Sequence, residues 1–438
     1  MKFDNQLRYA LNIVSAYKGE IPLHAWLKTF FREHKQMGSR DRKQVSNMVY
    51  GFYRLGHAVK TISAEERILA ALFLCNGTAD ELLQYFRPDW NAQAGISLEE
   101  KIAIYRQSNP AFKPTDIFPW KEELSDGIDH RAFCLSFLRQ PDLFLRIRPG
   151  YQDEVLSKLE AAYEFIPPFT IRLPNGFKVE EVFTPDKEVV IQDYSSQRIA
   201  PFLQPPAQAP ASARPPEPTA TDQNGPASPA PQTSPASVMP AGPRPLTIWD
   251  ACAASGGKSI LAYDLNPQID ITVSDIRESI LHNLRQRFRQ AGITQYHSFA
   301  ADLTMPEAIK FPGRSPQSGF DLIIVDAPCS GSGTWSRTPE ELYFFDPHKI
   351  SHYSGIQWKI TARLLPHLAK GGSLVYITCS VFKKENEEIA AALSRSHLSA
   401  QTGEDTRPDD IEVLNRIEVI KGYDLRADSM FAARFTGR

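Results

Sequence analysis

The feature that most constrains this chain is a regular alternation of short apolar runs with helical patterns in its second half. The apolar runs lie at 246–250, 271–275, 320–326, 373–378 and 430–435. The helical patterns lie at 257–265, 277–291, 355–369 and 384–395. Alternation of this kind is typical of a parallel, doubly wound sheet with helices on both faces. The second half is therefore predicted to be an α/β domain.

A proline- and alanine-rich stretch precedes this half. From Pro205 to Pro245 lie 41 residues, of which 13 are proline and 9 are alanine. Such a composition cannot bury enough apolar surface to offset the entropy of the chain. We interpret 205–245 as a disordered insertion that divides the chain.

The first 130 residues have the periodicity of helices, because apolar residues recur there at three-to-four spacing. Residues 1–60 carry 11 Lys/Arg against 4 Asp/Glu, a local charge of +7. Such helices could follow RNA phosphates, or they could present an ordinary solvated face. Residues 143–147 and 169–173 alternate like strands, with a helix predicted at 151–163, which indicates a small α/β module.

Whole-chain composition excludes several classes. The 438 residues contain 49 Lys/Arg and 51 Asp/Glu, so the net charge of −2 excludes a polycation. The chain has no apolar run of 18 residues and no secretory signal at its start, so we expect no membrane partner. Its five cysteines include no CxxC pair, which predicts neither a disulfide framework nor a metal site, and favours the cytoplasm.

A turn of small residues follows the first predicted strand of the α/β domain. It comprises Cys252, Ala253, Ala254, Ser255, Gly256, Gly257 and Lys258. Such a turn between a strand and a helix brings backbone N–H groups close to a ligand. Asp275 ends the next strand 19 residues after Gly256, an offset at which an acidic residue commonly binds a ribose hydroxyl. Together they predict a nucleoside-containing cofactor, although the turn is not the GxGxxG typical of NAD sites.

Two cysteines follow strands of the same sheet. Cys329 comes shortly after Asp326, the end of the third strand, and Cys379 directly follows the strand at 373–378. Ligands bind at this carboxyl edge of an open α/β sheet, where the pKa of a thiol can be lowered. A single cysteine there is more often a small buried hydrophobic residue. Two such positions at one edge favour chemistry.

The segments DACAASGGK, DAPCSGSG and VYITCS, which contain these residues, closely resemble the signature blocks of the RsmB/NOP/Sun family of RNA cytosine-5 methyltransferases. Further similar segments are VIQDYSSQ at 190–197, RTPE at 337–340 and ENE at 385–387. At the front, RDR at 40–42 and VYGFYR at 49–54 resemble the NusB-like helical domain of the bacterial ribosomal-RNA branch. The resemblance covers nearly all of the chain except 205–245.

The resemblance implies an α/β fold: a Rossmann-like class I methyltransferase domain at 190–438, interrupted at 205–245. An all-helical NusB-like RNA-binding domain at 1–135 and a small α/β module at 136–189 would precede it. The implied cofactor is S-adenosyl-L-methionine, the implied partner is ribosomal RNA, and the chain would act as a monomer. No additional C-terminal RNA-binding domain is expected after Arg438, as in the bacterial branch.

The resemblance also implies roles for particular residues. Cys379 would attack C6 of the target cytosine and Cys329 would assist release, while Asp326 would bind the base. The cofactor would lie in the loop from Cys252 to Lys258, with Asp275 on its ribose and Asp302 near its adenine. Lys258 could pair either with the cofactor carboxylate or with a neighbouring acid.

Two residues depart from the family pattern. Ser255 stands where the family loop A-P-G-G-K has proline, which predicts a less rigid loop. Arg148 stands where the small module usually has asparagine, which weakens the expectation that this position contacts RNA.

Three alternatives remain at this point. A DNA cytosine-5 methyltransferase would have a P-C-Q motif, whereas Ser330 follows Cys329 here. A transfer-RNA substrate is compatible with the same chemistry. A non-catalytic ribosome-assembly factor would need neither thiol.

Overall fold

A computed structural model describes residues 2–160, 163–204, 244–305, 307, 309–311, 319–395 and 411–437, without the side chains of 395, 411–415 and 437. The predicted insertion lies outside the described residues, except for Arg244 and Pro245.

The chain begins with helices, as its periodicity predicts. They are α1 Phe3–Ala16, α2 Leu23–Glu33, α3 Ser39–Arg54, α4 Ala64–Cys75, α5 Glu81–Phe86, α6 Pro88–Ala92, α7 Leu98–Ser108 and α8 His130–Ser136. Side-chain caps begin several of them: Ser63 caps α4, and Ser97 forms a reciprocal capping box with Glu100 at the start of α7. Their apolar faces bury residues such as Ile13 and Val45 in a shared core.

A four-stranded antiparallel sheet follows. Its elements are β1 Leu143–Ile147, α9 Gln152–Ser157, β2 Glu164–Ile166, β3 Thr170–Leu173, α10 Val179–Val182 and β4 Val189–Ile191. The strand order is β2-β3-β1-β4, with Leu145 of β1 opposite both Ile171 and Ile191. The helix predicted at 151–163 is shorter than expected: it spans Gln152–Ser157, and β2 begins at Glu164.

The second half forms a seven-stranded sheet covered by helices. After α11 Tyr194–Gln197 and α12 Ala200–Leu203, its elements are β5 Leu246–Asp250, α13 Gly257–Leu265, β6 Ile269–Asp275, α14 Glu278–Gln290, β7 His297–Ala300, β8 Phe320–Asp326, α15 Pro339–Phe344, α16 His348–Leu364, β9 Leu368–Thr378, α17 Glu387–Arg395, β10 Ile411–Ile420 and β11 Met430–Gly437. The strand order is β10-β11-β9-β8-β5-β6-β7. This is the predicted Rossmann-like arrangement.

Five neighbouring strands, in the sheet order β9-β8-β5-β6-β7, are parallel to one another. β11 runs antiparallel to both β9 and β10. The prediction of a wholly parallel sheet is therefore wrong at 430–435. The physical reason is that β11 returns directly from β10, a strand the pattern did not predict, without a crossover helix.

Alternate residues of the central strands enter two different cores. In β5, Ile248 packs into the core on one face of the sheet and Trp249 into the core on the other. Ile324 and Ile323 of β8 divide in the same way. Burial on both faces makes these strands continuously apolar, so the polar residues collect where the strands end.

The helical region is joined to the α/β domain through a common core. That core includes Leu342 and Phe345, around α15, and Phe382, which follows β9. The buried Arg54 donates to the carbonyl oxygens of Phe137 (3.0 Å) and Ser336 (2.9 Å). The helical region is thereby fixed against the segment that follows Cys329.

Candidate active site

The small-residue turn connects β5 to α13 in a tight loop. Ala254 and Gly256 both have left-handed backbones, with φ of 46° and 85°. A Cβ at Gly256 would lie 2.9 Å from Phe288 Cε1 and 3.0 Å from Leu284 Cγ, so only glycine allows the loop to rest on α14. The loop can therefore turn sharply at the carboxyl end of β5.

Asp275 lies beside this loop at the end of β6. Its Oδ2 accepts a hydrogen bond from the Ala254 N–H (3.0 Å), and its Oδ1 accepts from Arg277 N (2.9 Å) and Nε (3.1 Å). The next residue, Ile276, is 62% exposed, which is unusual for a large apolar side chain beside a polar cleft.

Asp302 follows β7, the next strand along the same sheet edge. Its Oδ1 accepts from Thr304 N (2.9 Å) and Oγ1 (2.6 Å). These bonds to Thr304 hold the pKa of the Asp302 carboxyl below its usual value. The strand-end position expected for Asp302 is thus observed.

Lys258 pairs with Asp326 rather than standing alone. Its Nζ lies 2.7 Å from Asp326 Oδ2 at the end of β8. Burial alone would lower the pKa of Lys258, but the charge and hydrogen bond of Asp326, followed by Cys379 and Asp250, raise it. The Lys258 ammonium therefore stays charged close to Cys379.

The two cysteines predicted at this edge lie together. β8 and β9 are adjacent parallel strands, and the Sγ atoms of Cys329 and Cys379 are 3.2 Å apart. Both are free thiols. Two sulfur atoms at this distance can exchange a proton or act on the same carbon atom of a substrate.

A buried carboxylate, Glu385, holds the two cysteine loops. It accepts from the backbone N–H of Ser330 (2.9 Å), which follows Cys329, and from Ser380 Oγ (2.9 Å), which follows Cys379. Gln357 Nε2 of α16 donates to the same carboxylate at 3.0 Å. Glu385 therefore fixes the separation of the thiols. Its ENE segment was noted in the sequence, but no pattern there indicated that it would face both loops.

The two thiols experience different charges. The hydrogen bond with Cys379, burial, and the charges of Cys379 and Glu385 raise the pKa of Cys329 well above its usual value. The positive charge of Lys258 interacts instead with Cys379. Cys329 therefore stays protonated.

The rest of the ENE segment connects this site to the helical region. Asn386 Nδ2 donates to Ser125 Oγ (2.9 Å) and to the Ser380 carbonyl (2.9 Å). Glu387 accepts from Ser125 Oγ (2.9 Å) and the Asp126 N–H (3.0 Å). The loop after Cys379 is thus supported from both sides.

Two further groups beneath the loop were not predicted to be unusual. Asp250 is fully buried, accepts from Ser259 Oγ at 2.6 Å, and has a second oxygen without a partner among the described residues. Burial raises the pKa of Asp250 to about 7. Burial also raises the pKa of the Cys252 thiol, which argues against a role for Cys252 as a nucleophile.

Arg148 has a structural position rather than an exposed one. Its guanidinium pairs with Asp264 of α13 at 2.7 Å and donates to the carbonyl oxygens of Asp186 (2.8 Å) and Ala291 (2.9 Å). It joins the small antiparallel sheet to the α/β domain. The departure from the family pattern therefore serves packing between the two parts.

Within the described part of the chain, no group of three or more His, Cys, Asp or Glu side chains could hold a metal ion. In the same residues, no helix combines the length and apolarity needed to cross a bilayer.

Comparison with known proteins identifies relatives. A family model described as 16S rRNA methyltransferase RsmB/F matches residues 243–436. The ribosomal RNA small subunit methyltransferase B of Enterobacter sp. (strain 638) is 28% identical over 398 residues, covering 86% of this chain and 79% of that protein. The probable ribosomal RNA small subunit methyltransferase B of Bacillus subtilis (strain 168) is 34% identical over 152 residues, so that match covers 34% of this chain and only a third (33%) of the relative.

The fold has a solved counterpart over its whole length. The crystal structure of the protein PH0851 covers 99% of this chain and 99% of its own, with a TM-score of 0.62 and 16% identity. At that identity the likeness concerns the fold alone. The match to the family model lies in the α/β domain, so residues 243–436 are similar to the RsmB/F family of 16S rRNA methyltransferases.

Proposed function

We propose that this chain is an S-adenosylmethionine-dependent cytosine-5 methyltransferase acting on ribosomal RNA of the small subunit. The observation that carries the proposal is the pair of thiols 3.2 Å apart at the ends of β8 and β9, beside a loop of the kind that binds nucleoside cofactors. The printed names of the Enterobacter and Bacillus relatives support the choice of RNA.

The residues around the loop fit S-adenosylmethionine. The loop from Cys252 to Lys258 would hold its methionine part, and Asp275 and Asp302 would accept from its ribose and adenine. Space exists for it, since a Cβ added at Gly257 would meet no atom within 4 Å. The exposed side chain of Ile276 offers an apolar surface to a base. When bound, the cofactor supplies a methyl group that a carbon nucleophile can take.

The protein must first make C5 of cytosine nucleophilic. Attack of the Cys379 thiolate on C6 does this by placing electron density on C5. The charge of Lys258 interacts with Cys379, and Asp326, which pairs with Lys258, would bind the Watson–Crick edge of the base. A hydrogen bond there favours protonation of N3 as the covalent bond forms.

Release requires transfer of the C5 proton to solvent water, so that the electrons of the C5–H bond form the C5–C6 double bond, and cleavage of the bond between C6 and sulfur. The electrons of that bond return to Cys379, which leaves as a thiolate. Cys329 keeps its proton because of its hydrogen bond to Cys379, its burial and the charge of Glu385, and it can donate that proton at 3.2 Å. Cys379 is therefore the proposed nucleophile and Cys329 the residue that assists release.

The other parts of the chain would place the RNA. A target cytosine must leave its stack to reach the thiols. We assign RNA binding to the helical domain at 1–135, with its excess of Lys/Arg near the start, and to the module at 136–189, while residues 190–438 carry the methyltransferase site. All proposed groups come from one chain, which suits a monomer, and unpaired thiols suit the cytoplasm.

The two thiol roles can be separated on one denaturing gel. Cys329→Ala should form the covalent adduct and transfer the methyl group, but release should be slow, so a protein–RNA species should accumulate. Cys379→Ala and the double variant should form none. The assay uses labelled small-subunit ribosomal RNA with and without S-adenosylmethionine, and Cys75→Ala in α4 is the thiol control.

A trapped species in Cys379→Ala alone would reverse the assignment. Normal turnover by Cys329→Ala would remove that residue from the reaction. Methylation of transfer RNA but not ribosomal RNA by the wild-type protein would keep the chemistry and change the substrate.

A further inference from the structure

One arginine of α14 links the small antiparallel sheet region to the cofactor loop. Arg287 Nε and Nη2 donate to the two carboxylate oxygens of Asp186 at 2.8 and 2.7 Å. Its Nη1 donates to both the carbonyl oxygen and Oγ of Ser255, each at 3.0 Å. A single planar guanidinium therefore spans the gap between Asp186 and the loop.

The Asp186 side of this bridge is anchored. The Asp186 N–H donates to the Val189 carbonyl at 2.7 Å, and its own carbonyl accepts from Arg148 Nη1 at 2.8 Å. The side chain is 8% exposed. Because Arg148 is itself paired with the buried Asp264, Asp186 cannot follow movements of the loop.

The Ser255 side is the part that needs support. Ala254, immediately before it, has a left-handed backbone, and such a non-glycine conformation persists only when neighbouring groups hold it. Asp275 holds Ala254 through its N–H. Phe288 and Leu284 of α14 lie against Gly256 on the other side. Arg287 adds a contact at Ser255, the residue between Ala254 and Gly256.

The sequence explains why this contact matters here. A proline at position 255 would restrict the loop through its fixed φ, whereas serine leaves that torsion free. We propose that Arg287 is a positioning residue that holds Ser255 against the anchored Asp186 and thereby keeps the cofactor loop in its binding conformation. The inference rests on the proposed function, since it takes the loop to bind S-adenosylmethionine.

The test is a rescue experiment that uses S-adenosylhomocysteine as the probe in isothermal calorimetry with the full chain. Arg287→Leu should weaken binding about tenfold, as expected for the loss of charge-assisted hydrogen bonds. In a Ser255→Pro background, the same substitution should change affinity by no more than about twofold, because proline supplies the restriction. Proline removes the Oγ that accepts from Arg287 but breaks no backbone bond, since within the described residues the Ser255 N–H donates to no backbone acceptor.

Arg285→Leu is the matched control, because Arg285 lies on the same helix and pairs only with Glu278 among the described residues. It should leave affinity unchanged. Asp186→Asn is the second variant, since asparagine tolerates the left-handed backbone at this position but loses the charge and one of the two oxygens that accept from Arg287. It should weaken binding about threefold even if Arg287→Leu does not fold.

Each outcome has a distinct meaning. Full affinity in both Arg287→Leu and Asp186→Asn would overturn the inference. An equal loss of affinity with serine and with proline at 255 would do so too, because it would indicate a general structural role. Failure of the wild-type protein to bind S-adenosylhomocysteine would instead contradict the proposed function.

Discussion

Glu385 is a buried carboxylate whose charge contributes to the raised pKa of Cys329, after the hydrogen bond with Cys379 and burial. The carboxylate receives three hydrogen bonds, from Ser330, Ser380 and Gln357. The acidity of the Cys329 thiol therefore depends on the side chains placed around it.

Replacing Glu385 by glutamine should lower the pKa of Cys329. The hydrogen bond with Cys379 and burial remain, but the negative charge that further raises the pKa is lost, so the thiolate fraction at a given pH increases. Alkylation of Cys329 by iodoacetamide, followed by mass spectrometry across pH 7–10, should shift toward lower pH. Glu387→Gln, whose carboxylate bonds to Ser125 and Asp126, should leave the profile unchanged. An unshifted alkylation profile in Glu385→Gln would show that the charge of Glu385 does not affect the pKa of Cys329.

At the scale of elements, the close approach of the cofactor loop to α14 gives a matched pair of glycines. Gly256→Ala should lower the free energy of unfolding by about 1–3 kcal/mol, because its Cβ would overlap Phe288 and its φ is 85°. Gly257→Ala should change it by less than about 0.5 kcal/mol, since nothing lies within 4 Å. Urea unfolding of both variants is the measurement. Equal stability of the Gly256→Ala and Gly257→Ala variants would mean that α14 shifts to accommodate the added Cβ.

The elements also show what the pattern of residues can predict. β5 and β8 begin and end where the apolar runs predict, because strands buried on both faces must be apolar throughout. The edge strand β10 was missed, since IEVLNRIEVI mixes charged and apolar residues as an edge strand can. α16 begins at His348 instead of 355, because its first turns are largely exposed, with Ile350 buried among 348–352, and so have no apolar periodicity to detect.

Most of the candidate site could be predicted from the parallel order of the strands. Parallel strands place Asp275, Asp326 and both cysteine loops at one edge, so their proximity follows from the fold class. The sequence left open whether Lys258 pairs with the cofactor carboxylate or with a neighbouring acid, and nothing in it indicated the bridge from Asp186 to Ser255. Both contacts join side chains that are far apart in the sequence.

At the scale of the whole molecule, Asp264 holds two of its parts together. Its buried carboxylate pairs with Arg146 at 2.5 Å and with Arg148 at 2.7 Å, so α13 of the α/β domain is fixed to β1 and the residue that follows it. Asp264→Asn should reduce the free energy of unfolding by about 3–5 kcal/mol, because two guanidinium groups lose their buried counter-charge. Chemical denaturation checks this, with Asp270→Asn at a half-exposed position as the control. A loss below about 1 kcal/mol would mean that water solvates these arginines.

The proline- and alanine-rich stretch at 205–245 is expected to contribute little to either stability or activity. Removing residues 211–236 should leave the melting temperature and methylation nearly unchanged, because the composition predicts a disordered connection, and shortening such a connection to about a third changes its closure free energy by only about 1 kcal/mol. Differential scanning calorimetry and methyl transfer to ribosomal RNA provide the two measurements. Loss of methylation at constant stability would instead identify the stretch as a substrate-binding arm.

The position of β11 between β9 and β10 has a consequence for synthesis of the protein. β9 carries Cys379 at its end, yet Thr378 of β9 pairs with Phe431, which is translated much later. A nascent chain that has already exposed both thiols therefore still has an unpaired edge beside one of them. The proposed methylation can therefore begin only after β11 has been translated and has paired with β9.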